Sequence, residues 1–252
     1  MSSIEVAATI FGCLMAGALA GMRLRMIIPK HHLDSDTRDL IKLGVGLIGT
    51  MSALVLGLLV ASTKGSYDLK KTELAQLAGN AILLDRALAH YGPDAADIRD
   101  RLRAAIAALA GGEGTRNSLE QLGRAAPVSR EVIFDKIQEL VPRTDAERSL
   151  QAEAKSLAIT LGQTRWLLFA QSGTSISAPF LLIVVFWLTV LYLSFGLFAP
   201  ANTTALITLL VSAVSVAAAM FLILDLDHPF TGLMQIPDTP LRNALAVLGE
   251  RS

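Results

Sequence analysis

The sequence contains very few of the residues that carry metal, disulfide or redox chemistry. Its 252 residues include one cysteine, Cys13, and four histidines. A single cysteine excludes a disulfide within the chain, and inside an apolar run it is predicted to be a small buried side chain. There is no P-loop, no H-E-x-x-H motif and no cysteine pair, so we predict neither an enzyme nor a cofactor or a resident metal.

Charge is also scarce, because only 17% of the residues are Asp, Glu, Lys or Arg. The 22 basic residues equal the 22 acidic ones. A net charge of zero gives no electrostatic reason to expect nucleic acid as a partner. In contrast, 52% of the residues are hydrophobic, which is high for a soluble domain. The composition therefore predicts an integral membrane protein, with the lipid bilayer as a partner.

The apolar residues are concentrated in four segments, residues 4–22, 43–62, 179–200 and 203–224. Each is close to the roughly 17–25 residues that a spanning helix needs. We therefore predict an all-α membrane protein with four transmembrane helices and a helical module between the second and the third. The expected division is a first helix pair at 1–64, the module at 65–172, a second pair at 173–226 and a C-terminal tail at 227–252.

The first segment has an alternative interpretation as a cleaved signal peptide, since Ala18-Leu-Ala20 resembles a cleavage site. Two features favour a retained helix instead. Glu5 stands where a signal peptide has basic residues, and Arg23 and Arg25 follow the segment like a stop-transfer flank.

The polar stretch shows helical periodicity throughout. Apolar residues recur at helical spacing over residues 67–91 and 94–110, with Gly92-Pro93-Asp94 predicted as the turn between them. A third stripe covers residues 129–141. Thr144 and Glu147 form a capping-box pattern, so a fourth helix is predicted from Asp145 to about residue 171.

The distribution of basic residues bears on the orientation. Four spans place both termini and the module on one side of the membrane. Lys64, Lys70 and Lys71 flank the second span and the loop at 199–202 is uncharged, which favours a cytoplasmic module. The basic residues between Arg23 and Lys42 argue the opposite way.

The second span has two distinctive faces. Thr50, Leu54 and Leu58 are four residues apart and share one face of a helix. On an adjacent face, the small residues Gly46, Ala53 and Gly57 would allow another helix to pack closely.

Several copies of this helix around a common axis would stack the Thr50–Leu54–Leu58 face into rings. Apolar rings gate by dewetting, and Lys42 and Lys64 would mark the two mouths with positive charge, which favours anions. The alternative is a helix packed inside the bundle of its own chain.

Two clusters have the side chains of a cation site. His31-His32 lies beside Asp34 and Asp36, but adjacent histidines point to different sides, so a solvated loop is the simpler interpretation. Asp225, Asp227 and His228 follow the last span as either a cation site or a polar helix end. In the module, Asp85 and Asp97 are predicted to form solvated pairs with nearby arginines.

Two local motifs resemble the bestrophin family of ion channels. Val55-Leu56-Gly57 is similar to a step in the second membrane helix of bestrophins, and Asp227-His-Pro229-Phe230-Thr-Gly232 is similar to an acidic residue and Pro-Phe-Gly after their last span. The closest similarity is to the bacterial bestrophin-like domain family, over residues 32–64, 84–93 and 222–242.

The resemblance implies a homo-oligomeric, pentameric channel for chloride or other small anions in a bacterial inner membrane. By position, the residues of its narrow neck are Thr50, Leu54 and Leu58, where bestrophins favour phenylalanine. The acidic run that binds calcium in animal bestrophins is missing, so calcium gating is not implied. The alternative function is a non-conducting scaffold or sensor whose module binds a protein partner.

Overall fold

The computed structural model describes residues 2–28, 35–110, 126–171, 176, 178–200, 202–229 and 232–249, with the backbone alone for 126–132. All regular structure in these residues is helical, which confirms the predicted all-α fold. The helices are α1 Ser3–Ile27, α2 Ser35–Tyr91, α3 Ala96–Ala110, α4 Ala126–Glu139, α5 Asp145–Ala170, α6 Ala178–Phe198, α7 Thr203–Leu226 and α8 Thr239–Gly249, with a 3-10 turn at Pro93–Ala95.

The chain divides into two compact units. The first, which we call the membrane unit, comprises Met1–Ser66, Thr174–His228 and Gly232–Met234. It contains α1, α6, α7 and the first part of α2, which are the four helices long and apolar enough to cross a membrane. Helix α1 packs against both α6 and α7. The four predicted spans are therefore confirmed as helices, although Cys13 is partly rather than fully buried.

Side-chain caps set the starts of three helices. The Ser2 hydroxyl accepts a hydrogen bond from the Glu5 amide at 3.2 Å, and the Glu5 carboxylate accepts from the Ser2 amide at 2.8 Å. Asn202 caps α7, and Thr144 caps α5 by accepting from the Glu147 amide. These bonds satisfy amides that have no partner in the first turn. The predicted start of α5 at Asp145 is confirmed.

Helix α2 is one helix of 57 residues, where the sequence pattern suggested two helices separated near residue 65. The segment between the two apolar patterns contains no proline. Within it, the Thr63 hydroxyl donates to the Leu59 carbonyl at 2.8 Å, a bond that the helical backbone accommodates. The change from an apolar to an amphipathic pattern therefore occurs without a break in the backbone.

The second unit, the module, comprises Tyr67–Gly173, Pro229–Thr231 and Gln235–Ser252. Its core is built from leucine, isoleucine and alanine side chains of α2, α3, α4, α5 and α8. Gln151 is buried among them and donates to the carbonyls of Ile137 and Leu140, which lie at the end of α4. The positive φ of Gly92, 115°, ends α2 at the predicted turn.

The segment predicted as the C-terminal tail contains a helix. Residues Thr239–Gly249 form α8, whose Leu241, Ala244 and Leu248 are buried in the module core. Residues spaced three and four apart form an apolar stripe, and burying this stripe stabilises a helix that would not persist alone in water.

One predicted surface pair is also corrected. Asp85 is buried and accepts two hydrogen bonds from Arg99, at 2.8 and 3.0 Å, which join α2 to α3. These bonds raise the pKa of Arg99, because they favour its charged form. In contrast, Asp97 and Arg101 form the exposed i,i+4 pair that the sequence predicted, at 3.0 Å.

Candidate functional site

The first part of α2 packs against the other helices of the membrane unit through one side only. Ser52, Leu59 and Thr63 are 2%, 9% and 0% exposed. The two hydroxyls donate to carbonyls of their own helix, Ser52 to Ile48 at 2.8 Å and Thr63 to Leu59 at 2.8 Å. These hydroxyls are thereby satisfied without a partner from another helix, so this side of α2 can pack against apolar neighbours.

The opposite side carries a continuous row of exposed apolar residues, which we call the leucine stripe. Leu54 and Leu58 are 71% and 65% exposed, and Thr50 is exposed on the turn before Leu54. Leu43 and Leu47 extend the stripe toward the N-terminus of α2. The three predicted pore residues therefore share one open face and are not buried inside the bundle of their own chain.

Thr50 is less polar on this face than its residue type suggests. Its hydroxyl donates to the carbonyl of Gly46 at 2.7 Å. A hydroxyl in this bond has no hydrogen left to donate to a passing ion or water. The stripe is therefore predominantly apolar from Leu43 to Leu58.

The predicted packing residues Gly46, Ala53 and Gly57 are also exposed. A Cβ atom added at Gly46 or Gly57 would meet no described atom within 4 Å. No described helix of the same protomer therefore uses this small-residue face. Its role in helix packing stays a prediction that requires a second copy of the chain.

Both predicted pore-mouth lysines, Lys42 and Lys64, lie on the exposed surface. The Lys42 ammonium forms an exposed ion pair with Asp39 at 2.9 Å. Sequence reasoning missed this partner, although Asp39 precedes Lys42 by three residues, the spacing that brings side chains together on a helix.

The last turn of α7 and the described residues from Gly232 onward meet at Asp225. This buried carboxylate accepts hydrogen bonds from the amides of Leu233 at 3.1 Å and Met234 at 2.8 Å. A Cβ atom at Gly232 would lie 2.8 Å from Asp225 Oδ2, so a larger residue there would have to displace the hydrogen-bonded carboxylate. Pro229 and Asp227 are buried, while Phe230 lies outside the described residues.

This geometry bears on the two interpretations of the acidic cluster. Asp225 is bonded to two main-chain amides, which matches a polar helix end rather than a ligand set. Among the residues that the structure describes, no three His, Cys, Asp or Glu side chains are grouped as metal ligands. His31 and His32 lie outside the described residues.

One close contact was missed by the sequence reasoning. A Cβ atom at Gly21 would lie 2.8 Å from the Leu197 nitrogen and would overlap the Leu193 carbonyl oxygen of α6. At Gly17 it would lie 2.8 Å from the Thr189 carbonyl oxygen, and at Gly196 it would lie 2.9 Å from the Ala18 carbonyl carbon. The Gly-x-x-x-Gly spacing of Gly17 and Gly21 was the available signal, since it lets two membrane helices approach closely.

Three comparisons with known proteins bear on this arrangement. The bestrophin-like domain family matches residues 12–241, and this range contains all four apolar helices except the first turns of α1. Comparison with curated protein sequences gives no match.

The fold is similar to the crystal structure of a bacterial bestrophin homolog from Klebsiella pneumoniae that carries a point mutation. The two chains are 16% identical, the TM-score is 0.54, and the alignment covers 96% of this chain and 100% of that one. The predicted resemblance is therefore confirmed, and the four apolar helices are those of a membrane protein. The chain belongs to the bestrophin-like family.

Proposed function

We propose that the protein is a homo-oligomeric ion channel, a pentamer, whose pore is lined by the leucine stripe of α2. The carrying observation is the exposure of α2 within the protomer. In the most apolar stretch of α2, 18 residues long, 11% of the residues are buried. The corresponding shares are 28% for α1, 39% for α6 and 28% for α7. A helix that packs so little within its own chain is the one that is most available to other copies.

The two open faces of α2 suit two different neighbours. Leucines alone would be compatible with lipid, but Gly46 and Gly57 beside them leave a shallow surface suited to close helix contact. If the glycine face contacts the next subunit, the leucine stripe turns toward the common axis.

A ring of leucines on that axis forms a hydrophobic gate. Water leaves a narrow apolar constriction, and ions then lose the hydration that they need to pass. Thr50 does not interrupt this barrier, because its hydroxyl hydrogen is bonded to Gly46. The pentamer and the position of the neck come from the similarity to bestrophins, which are ion channels.

We propose small anions such as chloride as the permeant ions. Lys42 and Lys64 bracket the stripe, and cationic mouths attract anions. The Lys42–Asp39 pair is exposed and weak, because such pairs contribute about 0–1 kcal/mol. Lys42 thus keeps its attraction for anions. If the channel selects chloride, the reversal potential measured under a chloride gradient should be close to the equilibrium potential of chloride.

We also propose that the protein resides in a bacterial inner membrane, with the termini and the module of residues 65–172 in the cytoplasm. Protease added to sealed inverted vesicles should cleave this module. Protease added to vesicles of the opposite orientation should leave it intact.

The gate is tested by Leu54→Ala in liposome flux assays. Alanine removes most of the Leu54 side chain from the ring. The constriction becomes wider, so ion flux should rise severalfold. Leu222→Ala is the matched control, because Leu222 is a leucine that is 53% exposed but lies on α7 and not on either open face of α2. Its flux should equal that of the unsubstituted protein.

Two results would contradict the proposal. One is an unchanged flux in correctly assembled Leu54→Ala protein. The other is a monomeric mass for the detergent-solubilised protein, because one copy of α2 cannot enclose a pore. Absence of flux together with retained binding of a protein by the module would instead support the scaffold function.

A further inference from the structure

The membrane unit contains a cavity that shares Lys42 and Gly46 with the proposed pore but extends away from the leucine stripe, between α6 and α7. Its volume is about 750 Å³, and it lies between α2, α6 and α7. The walls are mainly apolar, with Val45, Leu191 and Phe195 among the residues that line it. Exposed residues, including Thr208, also line it, so the cavity is open to the surroundings of the protomer.

Two cationic side chains stand at one edge of this cavity. Lys42 lines it directly. Arg25, at the end of α1, donates a hydrogen bond to the carbonyl oxygen of Ala199, and Ala199 is also a lining residue. The cavity thus combines apolar walls with positive charge at the end of the apolar spans.

The charge around this edge is predominantly positive. The described part of residues 23–42 carries four exposed cations and two exposed carboxylates, namely Arg23, Arg25, Arg38 and Lys42 against Asp36 and Asp39. Basic side chains at the ends of membrane helices lie at the level of lipid phosphates.

We propose that this cavity binds an anionic phospholipid, with an acyl chain between α2, α6 and α7 and the phosphate near Arg25 and Lys42. Arginine and lysine side chains attract a phosphate group of opposite charge and donate hydrogen bonds to it. An acyl chain also matches the walls, because aliphatic and aromatic side chains offer it contact without requiring hydrogen bonds.

A second copy of the chain is the competing occupant, because Gly46 lines one side of the cavity and also belongs to the face proposed to contact the next subunit. Charge disfavours a second copy at the edge formed by Arg25 and Lys42. Subunits in one membrane share the same depth, so a neighbour presents its own 23–42 region at the level of this edge. Like charges would then face each other, which costs free energy. An anionic headgroup brings the opposite charge.

The binding experiment uses the full-length protein in detergent, with native mass spectrometry to count the bound lipids per subunit. The probes are phosphatidylglycerol and phosphatidylcholine with identical acyl chains. The unsubstituted protein should retain phosphatidylglycerol in preference to phosphatidylcholine. Lys42→Gln should weaken phosphatidylglycerol binding roughly fivefold, the contribution of one basic side chain near a membrane surface, and should affect phosphatidylcholine less.

Two variants fill the cavity from α7. Ala205→Phe and Thr208→Phe place an aromatic ring among the lining residues, so each should lower phosphatidylglycerol retention severalfold. Size-exclusion chromatography shows whether each variant folds. If one variant does not fold, the other still tests the proposal. Ala219→Phe is the control, because Ala219 is exposed on the same helix outside the cavity, and retention should be unchanged.

Three outcomes would overturn the proposal. The first is equal retention of the two lipids by the unsubstituted protein, and the second is full retention by a folded, cavity-filled variant. The third is efficient crosslinking between subunits through a photoreactive residue introduced at Thr208, which would assign the cavity to a second copy whichever residue of that copy faces it. None of these measurements depends on ion conduction.

Discussion

Helices α1 and α2 both carry glycines within membrane-spanning segments, but they use them in opposite ways. Gly17 and Gly21 of α1 meet the backbone of α6 so closely that no side chain fits. Gly46 and Gly57 of α2 meet no described atom within 4 Å. The same residue type therefore marks a completed contact in one helix and an open surface in the other.

This difference teaches that small residues indicate a capacity for close packing rather than the partner. In α1 the partner is α6 of the same chain. In α2 we propose a neighbouring subunit. Substitutions that are matched in size and differ only in position separate the two cases.

The largest effect is expected for Gly21→Leu. The added side chain would collide with the backbone of α6, which cannot yield as a flexible side chain can, so the protomer should lose at least about 3 kcal/mol of stability. Thermal unfolding in detergent measures this loss. Gly12→Leu is the control on the same helix, because Gly12 has no described atom within 4 Å of an added Cβ. Equal melting temperatures for the two variants would refute the close contact.

An intermediate effect is expected in the module, where packed and open contacts can be compared again. Arg99→Ala leaves the buried Asp85 carboxylate without its two hydrogen bonds, which should cost about 2–3 kcal/mol. Arg101→Ala removes only the exposed pair with Asp97 and should cost less than about 1 kcal/mol. Denaturation followed by circular dichroism checks both values, and similar losses would show that burial of Asp85 does not matter.

The smallest effect on the protomer is expected for Gly57→Leu. No described contact is disturbed, so the free energy of unfolding should change by less than about 1 kcal/mol. Assembly should nevertheless fail, because the added side chain blocks close approach of a neighbouring helix. Light scattering on the detergent-solubilised protein measures the subunit number. An intact oligomer would contradict the predicted packing role of Gly46, Ala53 and Gly57.

The sequence was sufficient for the elements whose signals are local. Apolar runs of spanning length predicted the four membrane helices, and the Thr144 cap predicted the start of α5. The spacing of Thr50, Leu54 and Leu58 placed these residues on one exposed face of α2, and their role in a pore stays a prediction. These features depend on helix geometry and on interactions within a few residues, so they can be predicted from the local sequence.

The remaining features depend on contacts between distant residues. The burial of Asp85 is determined by Arg99, which follows it by 14 positions on the next helix. The Leu241, Ala244 and Leu248 stripe of α8 becomes part of a core only because the other module helices supply the opposite wall. The approach of α1 to α6 likewise brings Gly17 and Gly21 against backbone atoms of residues that lie far away in the sequence.

The glycines at the contact of α1 with α6 have a genetic consequence. Every missense change of a glycine codon introduces a Cβ atom, so no amino-acid replacement at Gly21 leaves its contact with α6 undisturbed. The obstructing atoms include the Leu193 carbonyl oxygen and the Leu197 nitrogen, which belong to the backbone. A second mutation at either of those positions changes a side chain and leaves these atoms in place. Suppressors of a Gly21 defect should therefore arise at residues that alter the spacing of the helices, and not at the two residues that it touches.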